Sequence, residues 1–284
     1  MKPPPFGYSR PLSVAQAVAD LAEYGPEAKV LAGGQSLVPL LNMRLATPPH
    51  LVDINRLGEL SYVSVGDGEV RIGALTRHAQ VLADPAASAA QPLIGQALRL
   101  VAHPVIRNRG TTVGSIVHAD PSGEMTAVLA LLGGSVRLAS AGGERSVPAA
   151  EFFLGPLESD VRDGELATEV TLPALGPRAG TAFAEVSRRS GDYAVCGVAA
   201  IAELGSGGGV TSARAAYLSV AGTPLVLDLT EAGGLAAAGR LAAERVSPSS
   251  DIHATADYRR HLAGVLTRRA LGAALAHAKE RSGA

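Results

Sequence analysis

Cysteine occurs once in these 284 residues, as Cys196. One thiol excludes an internal disulfide and a cysteine-ligated iron–sulfur cluster within the chain. Its neighbours Ala194, Val195, Gly197 and Val198 are small or apolar, so the expectation is a buried, inert strand thiol. Charge is scarce as well: 18% of residues are charged and the formal net charge is -1. A nucleic-acid footprint needs clustered excess lysine and arginine, and none is visible. Long hydrophobic runs are missing, since stretches such as Met125 to Leu132 fall well short of the ~20 residues that span a bilayer. No apolar segment of signal-peptide length follows Met1-Lys2-Pro3-Pro4-Pro5, and a soluble, cytoplasmic protein is expected. The seven histidines are scattered without zinc-ligand spacing. His103 and His118 have no spacing that pairs them with an orienting carboxylate, so no catalytic dyad or triad is legible.

What the chain does have is glycine in two informative places. Ala32-Gly33-Gly34-Gln35-Ser36 follows the short apolar run Lys29-Val30-Leu31, which reads as a strand. Thr111-Thr112-Val113-Gly114-Ser115 follows the basic turn Arg107-Asn108-Arg109-Gly110. Glycine lets a backbone pass close to a ligand, and a turn of unpaired N–H groups forms a concavity suited to phosphate. Two such loops together can hold both phosphates of a dinucleotide. Each alone reads equally well as an ordinary strand-to-turn junction.

Around these loops the chain divides by its punctuation. Ser13 and Gln16 form a capping-box pattern ahead of Val14, Val18 and Leu21, with Gly25 placed to end the helix. A helix around Leu37 to Leu45 and a strand at Leu51 to Ile54 complete a first lobe. Val63 and Val65 alternate with Val70 and Ile72 around Gly66-Asp67-Gly68, a hairpin signature. Thr76 is expected to cap a helix ending at Leu82, and Pro92 to open another. Glu124 to Leu132 reads as a buried helix stopped by Gly133-Gly134. Pro173, Gly176, Pro177 and Gly180 mark a linker. Strands at 182–187, 194–202 and 213–220 follow, then helices around 239–245 and 257–279.

The two loops and a third segment, Ser187-Arg188-Arg189-Ser190-Gly191-Asp192-Tyr193-Ala194, resemble the FAD-binding medium subunits of molybdenum hydroxylases, the family of aerobic carbon monoxide dehydrogenase and xanthine dehydrogenase. The resemblance covers essentially the whole chain. It implies an α+β protein: a two-lobed FAD-binding domain of the vanillyl-alcohol-oxidase/molybdenum-hydroxylase type at 1–176, with lobes near 1–56 and 57–176, then a small α+β domain at 177–284. It implies FAD as cofactor, held by Ala32, Gly33, Gly34, Gln35, Ser36 and Leu37 on one side and by Thr111, Thr112, Val113, Gly114 and Ser115 on the other. Asp120 or Glu124 would accept from the cofactor, although each suits a helix start equally well. Asp192 and Tyr193 would lie near the flavin ring, where tyrosine can stack on a face. The molybdenum cofactor and [2Fe-2S] clusters would belong to a large and a small partner subunit, and electrons would leave this chain for an external acceptor. A stand-alone FAD-dependent oxidoreductase and an assembly subunit that has lost flavin are the alternatives.

Two departures from the family pattern stand out. Val113 takes the place of a glycine, which would be costly if that position needed positive φ, and Val113→Gly is then expected to be neutral or to tighten FAD. Glu185 takes the place of a lysine.

Overall fold

The computed structural model describes residues 2–283. The first lobe is a three-stranded parallel sheet of β1 (Gly7–Ser9), β2 (Lys29–Leu31) and β3 (His50–Asp53) in the order β1-β3-β2, with helices α1 (Val14–Tyr24) and α2 (Leu37–Met43) as the crossovers. Ser13 caps α1 through its hydroxyl, which accepts from the Gln16 amide at 3.2 Å, and Ala17, Val18 and Leu21 bury its apolar stripe.

The second lobe opens with the hairpin β4 (Val63–Gly66) and β5 (Glu69–Gly73), turned by Asp67 and Gly68 at positive φ. Six helices follow: α3 (His78–Ala83), α4 (Pro85–Ala90), α5 (Pro92–Leu98), α6 (Pro104–Arg107), α7 (Thr112–His118) and α8 (Glu124–Leu132). Next come the strands β6 (Ser135–Ser140) and β7 (Gly143–Pro148), the short helix α9 (Ala149–Phe152), the small pair β8 (Phe153–Gly155) and β9 (Glu158–Ser159), and β10 (Leu166–Pro173). An antiparallel sheet ordered β4-β5-β10-β6-β7 results. Thr76 caps nothing: its hydroxyl donates to the Tyr62 carbonyl (2.6 Å) and accepts from the Tyr62 amide (3.0 Å), and the helix starts two residues later. Helix α8 is apolar all round because it is covered on every side, with eight of its nine residues buried.

The C-terminal part is an antiparallel sheet of β11 (Ala179–Ser187), β12 (Ala194–Leu204), β13 (Val210–Leu218) and β14 (Leu225–Asp228), followed by α10 (Leu235–Arg245) and α11 (Ala256–Ser282). Its strands alternate between two apolar faces. Ala200, Ala215 and Tyr217 join a core with α10 and α11, whereas Phe183, Ala199, Ala216 and Leu218 pack on the core of the second lobe, beside α8. Small residues dominate both faces, which lets the helices approach the sheet closely. Cys196 is fully buried on the α11 side, and burial pushes its thiol up to about 12, as an inert strand thiol requires. Arg259 is buried too, and pins the segment before α11 by donating to the carbonyls of Val195 and Ser249 and to Asp251.

Candidate functional site

The chain leaves β2 at Leu31 and turns into α2 through Ala32-Gly33-Gly34-Gln35-Ser36. Gly34 has φ of +73°, a conformation that side-chain-bearing residues rarely adopt, and its carbonyl accepts from the Val38 amide at 2.9 Å. The amides of Gly33, Gly34, Gln35, Ser36 and Leu37 find no acceptor among the described residues. Ser36 makes no capping bond with its hydroxyl. Five consecutive free donors at the mouth of a turn make an anion-binding concavity. All of Ala32 to Leu37 are half-buried, open enough to meet a ligand.

The second segment is built differently. Thr111 is the N-cap of α7, its hydroxyl accepting from the Gly114 amide at 3.1 Å, and the Ser115 amide donates to the Thr111 carbonyl. The side chains of Thr112 and Val113 turn into the core. Thr112 Oγ1 lies 3.1 Å from His78 Nδ1. Burial, with Arg107 adding to it, pushes His78 down to about 4, so the ring is neutral near pH 7. Val113 sits in the first turn of α7 with 2% of its surface exposed, and its φ is not positive. The concern raised by valine therefore disappears, because a helical position asks for no glycine and the side chain fills the core. Gly114 is exposed and Ser115 half-buried, so these two remain reachable.

The two segments touch. A Cβ on Gly33 would lie 2.6 Å from the Arg109 carbonyl oxygen and 2.8 Å from Gly110 Cα. Beside this contact opens a cavity of about 760 Å³ lined by Ala32 to Gln35 of the first segment together with Arg10, Asp53, Asn55, Arg77, Asn108 and Arg109. That volume is within the ordinary range for ligand sites. Asp53 accepts from Tyr8 and Asn55, and these bonds hold its carboxyl below the usual range although burial opposes its charge. Arg77 and Asn55 were not singled out from the sequence. They stand far apart along the chain, and only the packing of the lobes brings them together.

Asp120, Glu124, Asp192 and Tyr193 form a second neighbourhood, at the seam between α8 and the C-terminal sheet. Helix α7, seven residues and about 10 Å long, leads from one neighbourhood to the other. Ser219, at φ of +63°, ties the seam: its amide donates to the Pro121 carbonyl and its hydroxyl to the Ala194 carbonyl. Asp120 accepts from the Ser122 amide at 2.8 Å. Glu124 begins α8 and is 8% exposed; burial, with Asp120 adding to it, pushes its carboxyl up to about 7. Glu185 on β11 stands opposite Gly197. Its Oε2 is buried without a partner, and burial followed by repulsion from Glu124 pushes it up to about 8. Tyr193 is 65% exposed, so it is not a packed tyrosine between domains. Asp192 pairs with Arg189 at 3.1 Å, while Arg188 reaches His253 at 3.3 Å. The two arginines part because β11 ends at Ser187 and the chain turns there.

A row of free amides beside an arginine-bearing cleft, joined by a short helix to a seam with an exposed tyrosine, fits an extended dinucleotide. Residues 4–175 match the model of the FAD binding domain in molybdopterin dehydrogenase, and residues 181–274 match the CO dehydrogenase flavoprotein C-terminal domain. The chain belongs to the FAD-binding medium subunits of the molybdenum hydroxylases; it is an oxidoreductase component and its cofactor is FAD. Among its relatives is the 6-hydroxypseudooxynicotine dehydrogenase complex subunit alpha of Paenarthrobacter nicotinovorans, 40% identical across 98% of this chain and 97% of that one. The carbon monoxide dehydrogenase medium chain of Hydrogenophaga pseudoflava is 36% identical across 97% of this chain and 99% of its own length. A solved carbon monoxide dehydrogenase from Hydrogenophaga pseudoflava superposes with a TM-score of 0.92 at 37% identity, covering 98% of this chain and 99% of that one. Quinoline 2-oxidoreductase from Pseudomonas putida 86 superposes with a TM-score of 0.90 at 35% identity, covering 99% and 100%.

Proposed function

We propose that this chain is the electron-transferring subunit of a molybdenum hydroxylase complex, with the FAD pyrophosphate on the Gly33 to Leu37 amides and the flavin ring at the seam by Tyr193. The observation that supports the placement is the run of five unpartnered amides, of which Gly33, Gly34 and Gln35 belong to residues lining the cleft. Bound FAD supplies reversible electron carriage, and the chain supplies binding, orientation and electrostatics. Gly33 to Leu37 and the Ser36 hydroxyl donate to phosphate oxygens, and Arg77 and Arg109 add positive charge to the cleft. Gly114 and Ser115 meet the cofactor from the second lobe. Thr111, Thr112 and Val113 hold the start of α7 in place through a cap and core contacts. Burial raises the carboxyls of Glu124 and Glu185 to about 7 and about 8, which lessens the negative charge beside the ring near neutral pH. Tyr193 covers one ring face.

Electrons would arrive from a small [2Fe-2S] subunit, having left a substrate oxidised on a large molybdenum-cofactor subunit, and depart to an external acceptor in the cytoplasm. The domain division at 1–176 and 177–284 is supported by the two family-model spans. A stand-alone oxidoreductase is less well supported, because relatives matched along nearly the whole of this chain are named as a subunit of a dehydrogenase complex and as a dehydrogenase medium chain. The reading in which flavin has been lost rested on Val113, whose helical position removes its motive. The test is a visible spectrum of the purified chain with quantification of released flavin. One FAD per chain without iron–sulfur absorbance is expected, and a folded chain that stays colourless in excess FAD would overturn the reading.

A further inference from the structure

Two lobes meet at the glycine segments, and one side chain grips both. Arg77 follows β5 in the second lobe. Its Nη1 donates to the Arg109 carbonyl, just ahead of the second segment, at 2.7 Å. Its Nη2 donates across the lobe boundary to Asn55 Oδ1, also at 2.7 Å. Asn55 passes the link on: its Nδ2 donates to the Ala32 carbonyl at 2.8 Å and to the Leu31 carbonyl at 3.3 Å, the two residues that lead into the free amides. Asn55 is fixed from behind by Asp53 Oδ1, which accepts from both its side-chain and backbone nitrogens at 2.6 and 2.9 Å. The backbone around Arg77 is also held to the second segment, since the His78 amide donates to the Gly110 carbonyl and the Thr112 amide to the Thr76 carbonyl.

We propose that Arg77 is a positioning residue: through Asn55 on one side and the Arg109 carbonyl on the other, it sets how far apart the two glycine segments stand and hence the space a dinucleotide pyrophosphate meets between them. The inference rests on the FAD placement proposed above. It assigns retention of the cofactor to a side chain outside both glycine motifs. Geometry, more than charge, is the essential contribution. A guanidinium presents two donors in a rigid fork, which a lysine ammonium on a flexible stem does not reproduce. Nη1 and Nη2 each donate to a protein acceptor, and those two bonds align the segments that a phosphate meets.

The experiment measures FAD affinity and dissociation rate of the purified chain by flavin fluorescence for wild type, Arg77→Lys, Asn55→Ala and the double variant, with circular dichroism and melting of the flavin-free proteins alongside. Arg77→Lys and Asn55→Ala are each expected to weaken FAD by about ten- to a hundredfold, the usual consequence of losing a charged hydrogen bond. The double variant should be no weaker than the weaker single variant, because both break one link. Wild-type affinity in Arg77→Lys would show that positive charge alone suffices and overturn the proposal. Additive losses in the double variant would overturn it as well, by separating the two residues. If Arg77→Lys folds poorly, Asn55→Ala breaks the same link from the other lobe and carries the test, unchanged FAD affinity there again overturning it. A wild-type chain that binds no FAD would sink the cofactor placement itself, an outcome distinct from wild-type binding with unaffected variants.

Discussion

Gly33 to Leu37 and Thr111 to Ser115 read alike in sequence, as small, polar, glycine-bearing segments after a strand or a basic turn, yet they fold to opposite ends. The first leaves five amides without partners and uses positive φ at Gly34 to aim them. The second is the capped first turn of a helix, with Thr111 accepting from Gly114 and with Thr112 and Val113 in the core. A segment that leaves all its backbone donors free gives up local stability and gains a ligand; one that pairs the amides of Thr112, Gly114 and Ser115 and buries Thr111 to Val113 positions its neighbour. The contact of Gly33 with Arg109 and Gly110 makes the pair a single structure, so the second segment is the wall against which the first is set.

This contrast can be broken most severely at Gly33. A Gly33→Val side chain would overlap the Arg109 carbonyl and force the lobes apart, and FAD affinity measured by fluorescence titration is expected to fall by about two orders of magnitude. Wild-type affinity in a folded Gly33→Val protein would show that the segments need not touch. Val113→Gly should act on stability instead: a buried valine in a helix is lost, and urea unfolding of the flavin-free chain is expected to show a cost of roughly 2–4 kcal/mol. This reverses the expectation from sequence that glycine there would be neutral or would tighten FAD.

The seam offers a third contrast, in pH. Glu124 and Glu185 stay protonated in the folded chain up to about 7 and about 8, whereas unfolded glutamates ionise near their ordinary value. The folded state therefore holds more protons in that window, so stability is full below the unfolded value and is lost as pH rises through 7 and 8. The charged groups bearing on the pair are Asp120 on Glu124 and Glu124 on Glu185, with Tyr193 exposed at the rim. Melting of the flavin-free chain should drop by a few degrees between pH 5 and pH 8, and Glu185→Gln should flatten the dependence; an equally steep profile in that variant would remove Glu185 from the account. The smallest effects separate the two segments again. Thr111→Ala should cost about 1 kcal/mol of stability through the lost cap. Ser36→Ala, which removes no capping bond, should leave stability within about 0.5 kcal/mol and weaken FAD alone. A stability loss at Ser36 matching that at Thr111 would erase the distinction.

Local signals carried much of the fold. Ser13 as the cap of its helix, Gly25, the Asp67-Gly68 turn and the Glu124 to Leu132 helix with its Gly133 stop all stand where the sequence places them, because each depends on neighbours within a few residues. Gln16, however, closes no capping box and accepts from the Leu12 amide instead. Helix α4 was legible in principle, as Asp84 caps it and Pro85 opens it, but the alanines that follow carry little periodicity. Thr76 misled because a hydroxyl bonds whichever backbone lies nearest, and tertiary packing brought Tyr62.

By itself the sequence determined the family, the cofactor, the alternation of elements and the position of the two glycine segments along the chain, since turn chemistry and hydrophobic period are local properties. Only the tertiary structure decided which segment keeps its amides free, that Val113 is core, that Glu124 and Glu185 share a seam, and that Arg77 meets Asn55. Those facts depend on distances between residues tens of positions apart, and such distances exist only once the lobes have packed.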